Sequence, residues 1–379
     1  MRIMVVSRSW PAYERSGVSL AAHKHTQMLV DGGHELHIVG SHAAIEQEAL
    51  NTQKYYVPSS GSGALYAPTK VDKQLLSHTM NTIRPDLIIL EAWQTALTEA
   101  CIDIASKQHI PTLMISHGIS IHPYNNSVRH WIRYLAWLPY QWFCLPSRIK
   151  KITAMTALDL QVRSSRFYDR DLALSLHKPV FELSNSPALK TSSFKARSER
   201  KNQILVVGYF SQVKNQLRAL AILRDLPPSI TMLLVGKTEG AYYQTCQDYV
   251  KQYQLGARAV FCEDHEIDLA KEFSQSMIVL QTSITEALPI TLLEAMASGT
   301  PFVATAVGAA STLQSGIHAD QLLQQVQSIN QLFGDPLLWN QLAEQGKAAY
   351  AQGFTDARVQ EQLYSAVDKT LAIHKRKMN

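Results

Sequence analysis

Two glutamates eight positions apart, Glu286 and Glu294, stand in the stretch TSITEALPITLLEAMASGTPFV, residues 282–303, which reads as strand end, loop, short helix and next strand. Pro289-Ile290-Thr291 suits a first helical turn, because proline there gives up an N–H that the helix has no means of pairing. The free amides of such a turn, at the positive end of the helix dipole, favour a phosphate. Glu286 lies just before the turn. Glu294 falls in the second turn among Leu292, Leu293, Ala295, Met296 and Ala297, where its carboxylate is an acceptor for sugar or ribose hydroxyls. Gly299 closes the helix. By spacing alone, the same block also reads as an amphipathic helix with two solvated glutamates.

Two other stretches carry residues of this kind. The run IPTLMISHG, residues 110–118, is a strand that ends in His117 and Gly118, at the carboxyl edge where open α/β sheets hold ligands. Ser116 and Gly118 leave His117 exposed on this reading, although a lone histidine is more often structural. The strand 204–207 runs into Gly208-Tyr209 and then Lys214, which in isolation is an exposed lysine at a helix start.

Taken together these stretches resemble the retaining glycosyltransferases of the two-Rossmann-domain GT-B type, the large fourth sequence family known as glycosyl transferases group 1. That family has two glutamates separated by seven residues. Pro289, the run Leu292 to Ala297, Gly299, Pro301 and Val303-Ala304-Thr305 all fall where the family has them. The resemblance implies that Lys214 and the amides of Ile290 and Thr291 hold a donor diphosphate, with Pro289 part of the same donor site, that Glu286 binds the donor sugar and Glu294 the ribose. It further implies that His117 lies near the reacting carbon, and that Gly17 contacts a phosphate or an acceptor where the family often has a glycine pair. The sequence departs from the pattern at Ala287, usually glycine, and at Tyr209, where the family often has an arginine. Tyrosine cannot make a bidentate charged contact, so Tyr209 puts donor affinity in question. Gly17 is equally readable as a helix-start residue.

The elements that must position these residues follow from periodicity. Strands at 2–7, 35–39, 86–91 and 112–116 alternate with helices at 17–30, 71–83 and 92–107, which implies a doubly wound parallel sheet. The turn 8–17 lacks Gly-x-Gly-x-x-Gly, which weighs against a nicotinamide enzyme. A strand at 151–154, a helix at 158–167 and a strand at 180–183 finish this half. Residues 188–203, polar and without period, read as a linker. Strands at 204–207, 231–235, 259–262 and 278–281 then lead to the glutamate block, and helices at 319–333, 336–350 and 356–374 follow. The expected organisation is α/β, with two Rossmann-like doubly wound parallel-sheet domains facing a cleft: an acceptor-binding domain at 1–187, the linker at 188–203, a nucleotide-sugar-binding domain at 204–354, and a C-terminal helix at 355–379 that crosses back.

A chain of 379 residues suits two domains of this size. Its four cysteines, Cys101, Cys144, Cys246 and Cys262, show no metal, redox or disulfide spacing, which fits a reducing cytoplasm. The basic start MRIMVVSRSW passes directly into a strand, unlike a secretory signal, and the longest apolar region, 134–146, is too short to span a bilayer. The net charge of +5 is concentrated. Residues 121–170 carry eight cations, Arg129, Arg133, Arg148, Lys150, Lys151, Arg163, Arg166 and Arg170, against Asp159 and Asp169, which predicts a local basic surface. In the same segment Trp131, Leu135, Leu138 and Trp142 have helical spacing, with Pro139 expected to kink or restart the helix. Such aromatics either rest on an anionic membrane or pack in a core. No nucleic-acid-binding module is visible. Asp169-Arg170-Asp171 has the Asp-x-Asp spacing of a cation site but sits among arginines without companion ligands, and reads as a solvated turn.

The function this predicts is transfer of a sugar, with retention, from a nucleotide-diphosphate sugar to a saccharide or lipid-linked saccharide. By the resemblance it needs neither metal nor cofactor, and the usual setting is bacterial surface-polysaccharide assembly, in the cytoplasm or peripherally on the inner face of the plasma membrane. Two alternatives stand beside it: a sugar-nucleotide epimerase, and a non-catalytic sugar-nucleotide-binding subunit of a transferase complex.

Overall fold

Apolar runs that alternate with helices can bury both faces of a strand only in parallel sheets covered on each side. Two such sheets form. A computed structural model describes residues 1–14, 16–62, 64, 67–120, 128–189 and 194–378, with the side chains of 129 and 130 left aside. The chain divides into one unit of Met1–Asn185 with Ala357–Asn379 and a second of Ser186–Asp356.

The first unit holds β1 (Arg2–Ser7), β2 (Glu35–Gly40), β3 (Gln53–Tyr56), a short antiparallel pair of β4 (Ser59–Ser60) with β5 (Lys70–Val71), then β6 (Leu87–Glu91), β7 (Thr112–Ile115), β8 (Ala154–Ala157) and β9 (Val180–Glu182). Its main sheet runs β3-β2-β1-β6-β7-β8-β9, with every pairing parallel. Successive side chains of a strand point to opposite faces, and β1 shows the consequence. Met4 and Val6 enter one apolar cluster with Ile88, Leu90 and Met114, while Ile3 and Val5 enter another with Leu87, Ile89 and Ile115.

Helices α1 (Gly17–Asp31), α2 (Lys73–Ile83), α3 (Ala96–Lys107), α4 (Val128–Pro139), α5 (Leu145–Lys151) and α6 (Tyr168–Ser175) belong to this unit. Ser16 and Ser19 close a reciprocal capping box at the start of α1.

Three differences from the sequence reading have local causes. No helix covers 158–167. The Asp159 carboxylate accepts from the amides of Gln161 and Val162, a turn that competes with helix, and α6 starts only at Tyr168 after a 3-10 turn capped by Ser164. Pro139 does not break its helix. The chain passes through a π-helical turn, Tyr140–Cys144, directly into α5, which re-registers the hydrogen bonds that the missing proline N–H disturbs. The expected strand at 151–154 forms three residues later, as β8.

The second unit holds β10 (Lys201–Val207), α7 (Gln216–Arg224), β11 (Thr231–Val235), α8 (Ala241–Gln252), β12 (Ala259–Cys262), α9 (Leu269–Gln275), β13 (Ser276–Gln281), α10 (Ile290–Ala297), β14 (Phe302–Ala304), β15 (Gly316–His318), α11 (Leu322–Gly334) and α12 (Pro336–Gly353). The sheet order β12-β11-β10-β13-β14-β15 is the doubly wound order whose strand direction of travel reverses at β10. Part of the segment read as a linker, 188–203, is built into this unit, and residues 190–193 of it lie outside the described residues. Arg200 is buried, donates to the carbonyls of Lys195, Ser276, Ser298 and Gly299 and to Thr300 Oγ1, and stacks on Phe194 and Trp339. Burial holds its guanidinium down at about 10, below its ordinary value.

The last helix, α13 (Asp356–Met378), returns to the first unit. Val359, Leu363, Ala366 and Val367 join the cluster of Ile3 and Val5, and the Tyr364 hydroxyl donates to the Met28 carbonyl at 2.6 Å. Gly32 makes room for this, since a Cβ there would collide with the Tyr364 hydroxyl.

Candidate functional site

In the second unit the carboxyl ends of β10 and β13, neighbours at the point of strand-order reversal, carry the chemistry. The loop after β10 is stitched by Gln216, whose side chain donates to the carbonyls of Gly208 (3.1 Å) and Tyr209 (3.0 Å) and accepts from the Ser211 amide. Asn215 takes a left-handed conformation to start α7, and Thr282 Oγ1 reaches the Asn215 carbonyl at 2.9 Å, tying the two loops together. Lys214 thereby meets Glu286, with Nζ 2.6 Å from Oε1. Both side chains remain partly exposed, at 21% and 14%. Lys214 Nζ also lies 5.9 Å from the centre of the Tyr209 ring, within cation–π reach, and Tyr209 is 55% exposed.

Glycines set the shape of this edge. Gly208 and Gly308 have φ of +149° and +57°. A Cβ on Gly308 would collide with the Glu286 carbonyl, and one on Gly236 with the Gly208 carbonyl. The Ala309 amide donates to the Ala287 carbonyl at 2.7 Å, which pins the loop just before α10. Pro289 is the N-cap of α10 and not, as the sequence suggests, part of its first turn. Ile290 and Thr291 are the first two helical residues, so their amides lack intrahelical partners. Glu294 is buried in the same helix, and Gly299, with φ of +60°, ends it as expected.

In the first unit the corresponding edge is buried. Glu91 ends β6, beside Ser7 of β1, and is fully enclosed. Its Oε2 lies 2.6 Å from His117 Nε2 and its Oε1 lies 3.0 Å from His25 Nδ1 of α1. The two imidazoles stack with centroids 6.2 Å apart. Burial alone would raise the Glu91 carboxyl, but the two histidines outweigh that and hold it down at about 2. His117 is therefore not the open side chain the sequence suggests: it is 7% exposed, because Glu91 draws it inward. Ser116 beside it donates to Asp169 at 2.5 Å. Asp169 is accordingly no part of a solvated turn, and burial raises its carboxyl. Asp171 pairs with Arg170, and no cluster of three or more metal-ligating side chains occurs among the described residues. Gly17 is exposed at the first position of α1.

Residues 190–348 match the family model described as glycosyl transferases group 1. The second unit belongs to that family. No curated protein matches the chain. Among solved structures, Anabaena Alr3699/HepE in complex with UDP is 17% identical, with 97% of this chain and 100% of that one covered at a TM-score of 0.74. Sucrose-phosphate synthase from Thermosynechococcus elongatus is 14% identical, covering 98% and 99% at 0.74. A point mutant of S. aureus TarM, solved with Fondaparinux, alpha-GlcNAc-glycerol and UDP, is 10% identical, covering 97% and 99% at 0.71. The fold they share with this chain is GT-B, two Rossmann-like parallel-sheet units, and the family is one of sugar transfer.

Within the group 1 unit, sequence reasoning singled out Lys214, Tyr209, Glu286 and the start of α10, and the fold brings these to one sheet edge. It passed over Gln216, Thr282 and Gly308, which shape that edge. Only the positive φ and the close backbone approach reveal Gly308. It also passed over His25 and Glu91 in the other unit. A glutamate at the end of an otherwise apolar strand, Leu-Ile-Ile-Leu-Glu, was the available signal.

The basic segment is corrected in the same way. Arg148 and Lys151 pair with Asp103, Arg148 also with Glu99, and buried Arg170 with Asp171, so three of the eight cations meet carboxylates within the unit, while Arg133 donates to the neutral Ser120 carbonyl. Arg129 and residues 121–127 lie outside the described side chains. Its apolar residues go the other way. Trp131, Ile132, Leu135, Trp142 and Phe143 are 48 to 71% exposed, whereas Trp137 and Tyr140 are core.

Proposed function

We propose that the protein is a retaining, metal-independent glycosyltransferase that takes a sugar from a uridine-diphosphate sugar and places it on a saccharide or lipid-linked saccharide in surface-polysaccharide assembly. The observation that carries this reading is the Lys214–Glu286 pair at the switch point of the group 1 sheet, beside the free amides of α10. The pair is a site charged for a ligand that is both anionic and rich in hydroxyls. Lys214 exchanges its carboxylate partner for the donor diphosphate, which frees Glu286 to accept sugar hydroxyls. Charge that grows on the leaving phosphate meets Lys214 and the amides of Ile290 and Thr291, and Glu294 takes the ribose. Pro289 sets the angle at which those amides are presented, and Tyr209 packs against the lysine in place of a second cation. In the first unit His117 accepts from sugar hydroxyls, while Gly17 leaves the start of α1 open to the acceptor. Solved neighbours bound to UDP, UDP and glucose, or UDP-glucose support the choice of donor.

The test is a panel of uridine-, guanosine- and adenosine-diphosphate sugars, read by thermal shift and by release of the nucleoside diphosphate. A shift with uridine donors, weakened in Glu294→Ala and Glu286→Ala, is expected. Binding without donor consumption would instead support a non-catalytic subunit, and donor conversion without acceptor an epimerase.

The exposed aromatic face of α4 and the π turn favours a lipid-linked acceptor met at a membrane surface, with the protein peripheral there. No helix among the described residues is long and apolar enough to cross a membrane. Trp131→Ser with Trp142→Ser should abolish sedimentation with vesicles of phosphatidylglycerol and phosphatidylethanolamine, and undiminished sedimentation would remove this face from the account.

A further inference from the structure

One buried group has no place in the donor chemistry: the Glu91 carboxylate shared by two imidazoles on different elements, His25 in α1 and His117 after β7. A carboxylate accepts hydrogen bonds and donates none. Each ring nitrogen facing it must therefore carry the proton, His117 at Nε2 and His25 at Nδ1. In the neutral imidazole the other nitrogen is then a bare acceptor. Among the described residues neither His117 Nδ1 nor His25 Nε2 has a protein hydrogen-bond partner.

We propose that Glu91 is a positioning residue that locks His117 and His25 into opposite tautomers, so that His117 Nδ1 and His25 Nε2 are held as a pair of acceptors for ligand hydroxyl groups. The geometry decides the tautomers, and the choice of sugar hydroxyls as the ligand rests on the sugar transfer proposed above. Rotation of His117 is prevented at the same time, since turning the ring would separate Nε2 from a carboxylate that burial shuts off from solvent.

Glu91→Gln probes this without changing shape. The amide has one accepting and one donating end, so it satisfies one imidazole as before and forces the other to present a lone pair, inverting that tautomer. Long-range ¹H–¹⁵N spectra of histidine-labelled protein, assigned with His25→Gln and His117→Gln, read tautomers directly. The expected wild-type pattern is Nε2–H for His117 and Nδ1–H for His25, with one of the two switched in Glu91→Gln. A shared tautomer in the wild type, or unchanged tautomers in the variant, would overturn the proposal. Should Glu91→Gln fail to fold, the wild-type spectrum still decides.

Kinetically, Glu91→Gln should lower kcat by about tenfold or more, as loss of a partner that orients a functional imidazole does. Donor KM should stay within about twofold, and a His117→Ala background should remove most of the effect because the two act as a unit. Additive losses would overturn the positioning role. Failure of the wild type to turn over any donor would instead count against sugar transfer, and the tautomers would still be decided by the spectra.

Discussion

Two sheet edges of one topology have been furnished in opposite ways. In both units the strand order reverses beside the first strand, at β1 and at β10, and in both the residue that matters is a glutamate at or just beyond the next strand over. At β13 the glutamate lies in a glycine-shaped loop, partly exposed, and faces a lysine. At β6 it is still in the strand, enclosed, and faces two histidines. Position along the strand sets the difference. A carboxylate inside the sheet layer loses water and must be satisfied by protein donors, whereas one in the following loop keeps water access and can change partners. The first arrangement suits fixed acceptors for neutral hydroxyls, the second a site that opens to an anion.

Substitutions break this contrast unequally. Lys214→Ala removes the cation from the open edge and should lower kcat/KM for the donor by about 10² to 10³, the scale for a donor aimed at developing charge. Release of nucleoside diphosphate at several donor concentrations checks it, and unchanged kinetics would remove Lys214 from the site. Gly308→Ala drives a Cβ into the Glu286 carbonyl from a left-handed backbone, and should cost about 1 to 3 kcal/mol, seen as a lower melting temperature, together with loss of the donor-induced shift. Intact donor response in that variant would mean the loop does not need its observed position.

The buried edge is tested by acid. The Glu91 carboxyl is held at about 2, below its ordinary 4.5, so its share of stability is full above about 4.5 and is lost as pH falls toward 2. Its partners are His25 and His117. Denaturant unfolding from pH 6 to 3 should therefore show less acid destabilisation in Glu91→Gln than in the wild type, and parallel profiles would contradict the shift. The smallest effect is expected for Tyr209→Arg, which adds a second cation at the open edge. Donor affinity should rise only a few-fold, because Tyr209 is exposed and solvent screens the new charge. A fall in affinity would show that the Tyr209 ring itself is used.

Much of this was readable beforehand. Strand-helix alternation, the ends of β11 and β12, and the glutamate block with its terminating Gly299 are properties of short windows, because apolar period, proline and glycine act within a turn or two. The missing helix at 158–167 shows the limit: Asp159 bonds two amides just ahead of it, and side-chain competition of that kind leaves no periodic mark. The exposed Trp131 and Trp142 beside the buried Trp137 and Tyr140 were equally unreadable, because the face a helix buries depends on what the fold sets against it.

What the chain order carries unaided, then, is the identity of the reactive groups and the elements that bear them. The meetings were left to the fold. Lys214 and Glu286 are 72 residues apart, Glu91 and His117 are 26 apart, and each pair exists because parallel strands adjacent in space bring their carboxyl ends together. Whether a carboxylate then sits open beside a lysine or closed between imidazoles follows from its depth in the sheet, since removal of water makes its hydrogen-bond partners obligatory.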